Sequence, residues 1–196
     1  GGSDLRAVDF NFNGWGGKQV HSGDTQLAGL VAAHLGIDLF DTGLVGEGGG
    51  IEVDGHGTVL AAESCWVNDN RNPGMSRNDV EGAILAMVGA ERMLWIPGLA
   101  GYDITDGHID TLGRFVGTTT IHIDRPSVDD PDNPWVMVAE ETRSVLSKAS
   151  MGNGQPYSIE EITQPLDIRG GGDEFLSTYM NFYVCNGAVI APEFGD

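Results

Sequence analysis

Apolar residues recur at helical spacing in three stretches of this chain and alternate in several shorter ones, with glycine between them. After Asp24, the residues Leu27, Leu30, Val31, His34 and Leu35 fall at i, i+3, i+4, i+7 and i+8. That spacing predicts a helix with one buried stripe, His34 included as a satisfied core histidine, stopped at Gly36. Ser76 is placed to cap a second helix, with Asp79 completing a capping box and Val80, Ala83, Ile84, Met87 and Val88 facing inward before Gly89. A third starts at Asn133 with Pro134 in its first turn and buries Trp135, Val138, Ala139, Thr142, Val145 and Leu146. Strands are predicted at residues 5–12, 39–45, 51–53, 58–67, 92–96, 157–166, 179–184 and 188–190, with a hairpin over 112–123. Asp54-Gly55-His56-Gly57 and Asn186-Gly187 supply tight turns. The order is strand pair, helix, strand, repeated about three times, which predicts an α/β fold of repeated units in one continuous domain over residues 1–196.

Composition narrows the function classes. Lys and Arg number 10 against 29 Asp and Glu, a formal net charge of −19. No window gathers more than two basic residues, so the counterion release that drives nucleic-acid binding has no footprint here. An acidic surface attracts cations, small cationic metabolites among them. No apolar run approaches the roughly 18 residues of a membrane-spanning helix. Cys65 and Cys185 sit in no paired or metal-binding spacing and read as thiols of a reduced, cytoplasmic protein. Thirty glycines in 196 residues, about twice the usual ~7%, cluster at residues 14–17, 46–50 and 170–172, where tight turns and close backbone approaches are expected. The chain opens on Gly1-Gly2-Ser3 without Met and runs almost directly into a strand, so an upstream segment is expected.

Chemistry concentrates in two acidic segments. Thr105-Asp106-Gly107-His108-Ile109-Asp110 holds two carboxylates and a histidine. With Ile109 inward on a strand, His108 and Asp110 share the opposite face and could bind a metal or pair a proton shuttle with a cation anchor. Gly46-Glu47-Gly48-Gly49-Gly50 places a carboxylate where backbones approach closely, which is costly unless a partner such as an imidazolium is present. A metal hydrolase using Glu47, His108 and Asp110 would need a further ligand. His21, His34, His56 and His122 fall instead on helix, turn or strand positions, so no metal and no cofactor is expected.

These segments carry a resemblance. LVGEGGGIEVDG (residues 44–55), NDNRNP (68–73), TDGHID (105–110) followed by Arg114-Phe115-Val116, NFYVCNGAVIAP (181–192) and VDFNFNGWGGK (8–18) are together similar to the agmatine deiminase family, which includes the Porphyromonas-type peptidylarginine deiminases. The resemblance implies a pentein-type α/β propeller of ββαβ units, here an incomplete set of blades truncated at both ends. It implies hydrolysis of the guanidinium of agmatine to N-carbamoylputrescine and ammonia through a cysteine-linked amidino intermediate. In that reading His108 is the general acid/base, Glu47 orients it and Asp110 anchors the guanidinium. Trp15 and Asn181 match positions near the substrate. Asp106 is carried with them, its simpler use being to shape the turn that presents His108. The family's nucleophile lies in a Gly-rich Asn-x-His-Cys segment that these residues do not contain, and neither Cys65 nor Cys185 inherits the role. The implied partner is a small cationic guanidinium compound, with no nucleic acid and no membrane, and with room for a homo-oligomer. Peptidyl-arginine or arginine as substrate, or a catalytically inactive guanidinium-binding module, are the alternatives. Trp15 beside a segment without Arg favours the apolar tether of agmatine.

Overall fold

The computed structural model describes residues 5–127, 132–166 and 176–195. The expected turn at 170–172 lies outside them. The first strand, β1 (Arg6–Asp9), leads through a one-turn helix α1 (Gly14–Gly17) and a 3-10 turn (Asp24–Gln26) into α2 (Leu27–Leu35). Then β2 (Asp38–Asp41) returns parallel to β1. A complete unit follows: β3 (Ile51–Val53), β4 (Thr58–Ala62), the one-turn helix α3 (Glu63–Trp66), α4 (Arg77–Val88) and β5 (Arg92–Ile96). In it β3 is antiparallel and β5 parallel to the central β4. A second unit repeats the pattern after α5 (Ile109–Leu112), with β6 (Gly113–Phe115), β7 (Thr120–Arg125), α6 (Pro134–Leu146) and β8 (Ser158–Thr163) in the order β6-β7-β8. An antiparallel pair, β9 (Tyr183–Cys185) and β10 (Ala188–Ile190), joined at Asn186-Gly187, ends the described chain. Among the described residues, two ββαβ units are thus flanked by a partial one on each side, in four small sheets.

The core lies where the two complete units meet. Each residue of β4 is buried, as befits a central strand covered on both faces. Leu60, Trp66, Ile84, Ile96, Ile109, Ile121 and Leu146 are essentially inaccessible. Fully burying a side chain such as Ile84 contributes roughly 1.5–3 kcal/mol. Helix α4 begins with the expected reciprocal capping box between Ser76 and Asp79, and Asn133 caps α6 through the Trp135 amide. In α4 and α6 these local signals agree with the packing, so both helices form where the pattern places them.

Several expectations need correction. The stripe of α2 is exposed: Leu27, Leu30, Val31 and Leu35 face outward with His34, and only Ala32 is buried. The helix rests by its small side on the two-stranded β1–β2 pair, and no described element covers the stripe. The strand expected to run to Val67 ends at Ala62, where α3 turns the chain. The strand expected at 39–45 occupies only Asp38–Asp41, because Asp41 and Thr42 side chains accept from the Gly43 and Leu44 amides and form a turn there. The segment 179–182 is irregular, so the last hairpin begins only at Tyr183.

The β7–β8 unit contains a pH-sensitive element. Asp124 on β7 is buried and accepts 2.6 Å bonds from Thr178 Oγ1 and Gln164 Nε2. Burial pushes its carboxyl up from 3.8 to about 6 against those bonds. A raised folded-state value means that the native protein holds this proton more tightly than the unfolded chain does. Its contribution is therefore complete below about 4 and lost as pH rises through about 6. Asp124→Asn is expected to gain stability relative to the parent between pH 4 and 8, by on the order of 3 kcal/mol at about 1.4 kcal/mol per unit. Denaturant melts across that range check this, and parallel profiles would contradict it.

Candidate functional site

Glu47 is positioned by the packing of its neighbours. The Asn72 side chain accepts from the Val45 amide at 2.9 Å and donates to the Val45 carbonyl at 3.0 Å, fixing the approach. The Trp66 indole N–H donates to the Gly50 carbonyl at 2.7 Å, and its ring lies so close to Gly46 that a Cβ there would overlap it. Between these two anchors Glu47 is extended (φ −138°, ψ 152°) and a 3-10 turn (Gly48–Gly50) follows. Gly46, Gly49 and Gly50 are needed here for close approach.

His108 and Asp110 come from the opposite side. Asp106 takes the left-handed conformation (φ 63°), as does Gly107 (φ 84°), and this double turn delivers His108. The expected strand is replaced by the single helical turn α5. Thr111 closes it by donating its amide and hydroxyl to the His108 carbonyl, at 3.3 and 2.9 Å. Ile109 is still fully buried beneath the site. His108 and Asp110 still meet, through a helical turn and not strand alternation. A Cβ on Gly49 would lie 2.5 Å from Asp110 Oδ2 and 2.8 Å from His108 Nδ1.

The charges form an ordered set. His108 Nε2 lies 3.0 Å from Glu47 Oε2. Arg71 donates its Nε–H to both Glu47 oxygens at 3.0 Å and an Nη1–H to Asp106 Oδ2 at 2.8 Å. Lys18 Nζ pairs with Asp106 Oδ1 at 2.7 Å. Burial alone would raise the Asp106 carboxyl, but bonds from Lys18, Asn70, Arg71 and the Gly101 amide outweigh it and hold the group at about 2. Asp110 differs. Burial raises its carboxyl against the opposing pull of His108, Arg114 and Asn181. Asn181 donates to Oδ2 at 3.1 Å, and the buried Oδ1 has no hydrogen-bond partner among the described residues. Arg114 holds the Asn181 segment by donating to the Phe182 and Met180 carbonyls at 2.9 and 3.3 Å, and its Nε pairs with Glu52 at 2.9 Å.

Of the residues singled out in the sequence, Glu47, His108, Asp110 and Asn181 meet in one place. Asp106 sits behind them with both oxygens occupied, which fits shaping the turn rather than touching a ligand. Trp15, on a left-handed turn (φ 55°), packs edge-on against Phe12 at 5.0 Å. Its loop joins the site through Asn13, which donates to the Asn70 carbonyl at 2.9 Å. Arg71, which enters the sequence reading only within NDNRNP, is the residue that ties Glu47 and Asp106 together. The available signal was a basic residue between Asn70 and Asn72, in a chain with ten basic residues and two acidic clusters in need of partners. Cys65 is buried in α3, and burial pushes its thiol up, opposite to what a nucleophile needs. Cys185 is half-buried on β9 and its thiol donates to the Ala188 carbonyl of the same hairpin. Among the described residues no three His, Cys, Asp or Glu side chains are arranged to hold a metal ion, and no helix is long and apolar enough to cross a membrane.

The described residues form an α/β fold of ββαβ units that carries a buried carboxylate with an open oxygen beside a carboxylate-paired histidine. The chain belongs to the Porphyromonas-type peptidyl-arginine deiminase family, whose model matches residues 3–196. It is 36% identical over 202 residues to a putative agmatine deiminase of Streptomyces coelicolor, covering 98% of this chain and 58% of that protein. It is 33% identical over 216 residues to agmatine deiminase of Medicago truncatula, covering 98% and 57%. The solved agmatine deiminase of Enterococcus faecalis superposes with a TM-score of 0.87 at 27% identity, covering 98% of this chain and 59% of that one. The chain thus spans somewhat under three fifths of the length of the relatives it matches.

Proposed function

We propose that this chain forms the guanidinium-binding and proton-transfer part of a hydrolase that converts agmatine and water to N-carbamoylputrescine and ammonia. The observation that carries the reading is the unpartnered, buried Asp110 Oδ1, with His108 and Glu47 beside it. A planar cation offers paired N–H donors to such a carboxylate, and charge-assisted bonds of this kind are strong in a desolvated site. A thiolate adds to the guanidinium carbon, and His108 passes a proton to the nitrogen that leaves as ammonia. The resulting amidino-thioether is then attacked by water that has given a proton to His108, and the C–S bond breaks to restore the thiolate. Glu47 accepts from His108 Nε2 and fixes the ring for both transfers.

The geometry of Cys65 and Cys185 suits neither to attack, so the thiolate is supplied from outside these 196 residues. Agmatine is favoured over arginine and peptidyl-arginine because Trp15 offers an apolar wall and Lys18, the basic residue of the same loop, is engaged by Asp106. The two complete ββαβ units support a five-bladed propeller to which this chain contributes one continuous α/β domain. The free thiols Cys65 and Cys185 favour a reducing, cytoplasmic location.

Ureido-product and ammonia assays on the intact gene product, with agmatine, arginine and an arginine peptide, test the reading. Agmatine is expected to be consumed by the intact product and only bound by the 196-residue chain. Turnover by the 196 residues alone would overturn the placement of the nucleophile. Binding without turnover by the intact product would favour an inactive guanidinium-binding module.

A further inference from the structure

Lys18, Asp106, Arg71 and Glu47 alternate in charge from the surface to the site floor, where Glu47 meets His108. The Lys18 side chain is 31% exposed, those of Asp106, Glu47 and His108 are 3, 9 and 7% exposed, and that of Arg71 is fully buried. Arg71 uses its whole fork: Nε on Glu47, Nη1 on Asp106 and Asn70, and Nη2 on the Thr105 carbonyl at 2.9 Å. It thereby ties the Glu47 turn to the 105–106 turn that delivers His108. Lys18 closes the far end on Asp106 and also donates to the Asp103 and Ile104 carbonyls, at 3.2 and 3.1 Å. Glu47 alone beside a cationic substrate would be a second anchor competing for it. With Arg71 donating to both its oxygens, Glu47 accepts at His108, and that assigns the proton to Nε2.

We propose that Arg71, backed by Asp106 and Lys18, is a positioning residue that holds Glu47 on His108 and neutralises the floor of the site. Asp110 is then the carboxylate left to pair with the cationic substrate. The inference rests on the deiminase reading for its kinetic consequence. Substrate binding runs through Asp110 and its neighbours Asn181, Arg114 and Glu52, so disturbing Arg71 alters turnover more than affinity. A lysine at position 71 keeps the charge but not the fork that spans Glu47 and Asp106.

The test combines kinetics of the intact gene product with NMR of selectively 15N-histidine-labelled protein. Arg71→Lys is expected to lower kcat for agmatine about 10-fold, with KM changed by less than about twofold, the size of loss that a small misplacement of a reacting group produces. Arg71→Met should lose more, and Lys18→Met about threefold, also in kcat. In the parent protein the hydrogen-bonded His108 Nε2 proton should resonate downfield and exchange slowly. It should shift or broaden in each Arg71 variant while the remaining amide spectrum is retained. A rise in KM with kcat unchanged overturns the proposal, as does an unmoved His108 proton in Arg71→Lys. If the Arg71 variants do not fold, Lys18→Met decides by the same two readouts, since its partly exposed side chain leaves the core untouched. Absence of ureido product from the parent would count against the deiminase reading, while the imidazole proton would still report on Arg71.

Discussion

Replacing Asp110 by Asn is expected to remove measurable agmatine binding and to lower turnover by about three orders of magnitude, without loss of folding stability. Taking one member out of a buried, hydrogen-bonded charge pair costs about 2–5 kcal/mol, and each 1.4 kcal/mol is tenfold. The amide compounds the loss. If its oxygen keeps the bond from Asn181 Nδ2, its NH2 group takes the position of Oδ1 and turns donors toward the donors of a guanidinium. Stability moves the other way. The Asp110 carboxyl is raised by burial, so the native state binds its proton more tightly than the unfolded chain. That contribution is complete below the ordinary value of 3.8 and lost as pH rises through the raised one. At neutral pH an Asn therefore relieves a cost, and the unfolding midpoint should hold or rise. Calorimetric titration with agmatine and thermal melts read both effects. In the parent, affinity should fall as pH drops through the raised range of Asp110. Binding by the variant within about threefold of the parent would place the guanidinium elsewhere.

How much of this was legible in the sequence depends on whether local and tertiary signals coincide. Helix α4 could be read because the Ser76–Asp79 box and its inner stripe, led by Val80 and Ile84, coincide with the interface to β5. The periodicity of α2 is just as regular, yet its stripe lies in the open. Periodicity identifies a face that needs covering and says nothing about whether the covering element lies within the same 196 residues. Cys185 and β9–β10, with Tyr183, Val184, Val189 and Ile190 exposed, illustrate the same limit at the other end.

The site was legible as residue types and less so as geometry. The cost of a carboxylate among glycines calls for a partner such as an imidazolium beside Glu47, and the resemblance names His108 as that partner. The route by which His108 and Asp110 converge was not legible, because alternation on a strand and one helical turn can bring the same two side chains together. What tips the balance is Thr111, whose amide and hydroxyl both return to the His108 carbonyl. Arg71 escaped because its two acids are 24 and 35 positions away in sequence, with nothing in the local pattern of NDNRNP to connect them. Burial of a guanidinium is affordable only with partners on several sides, and such partners are a property of the fold.

Gly49 provides the second large effect. Gly49→Ala removes no functional group, yet is expected to reduce kcat/KM for agmatine by about 100-fold, the loss that a misplacement near 1 Å can cause. The new methyl would sit 2.5 Å from Asp110 Oδ2 and 2.8 Å from His108 Nδ1, far inside contact distance, so the turn or both side chains must shift. Neither can move freely. His108 is held at 3.0 Å on Glu47, and Asp110 lies on a helical turn whose buried Ile109 fixes it from below. The turn is pinned by the Trp66 bond to the Gly50 carbonyl at 2.7 Å. Gly48→Ala is the matched control, because a Cβ there meets nothing within 4 Å and the backbone conformation does not require glycine. The same methyl one residue earlier should leave kinetics and melting unchanged. Equal, small effects of the two substitutions would mean that the Gly49 turn yields readily, and that the spacing of His108 and Asp110 is set by their own segment alone.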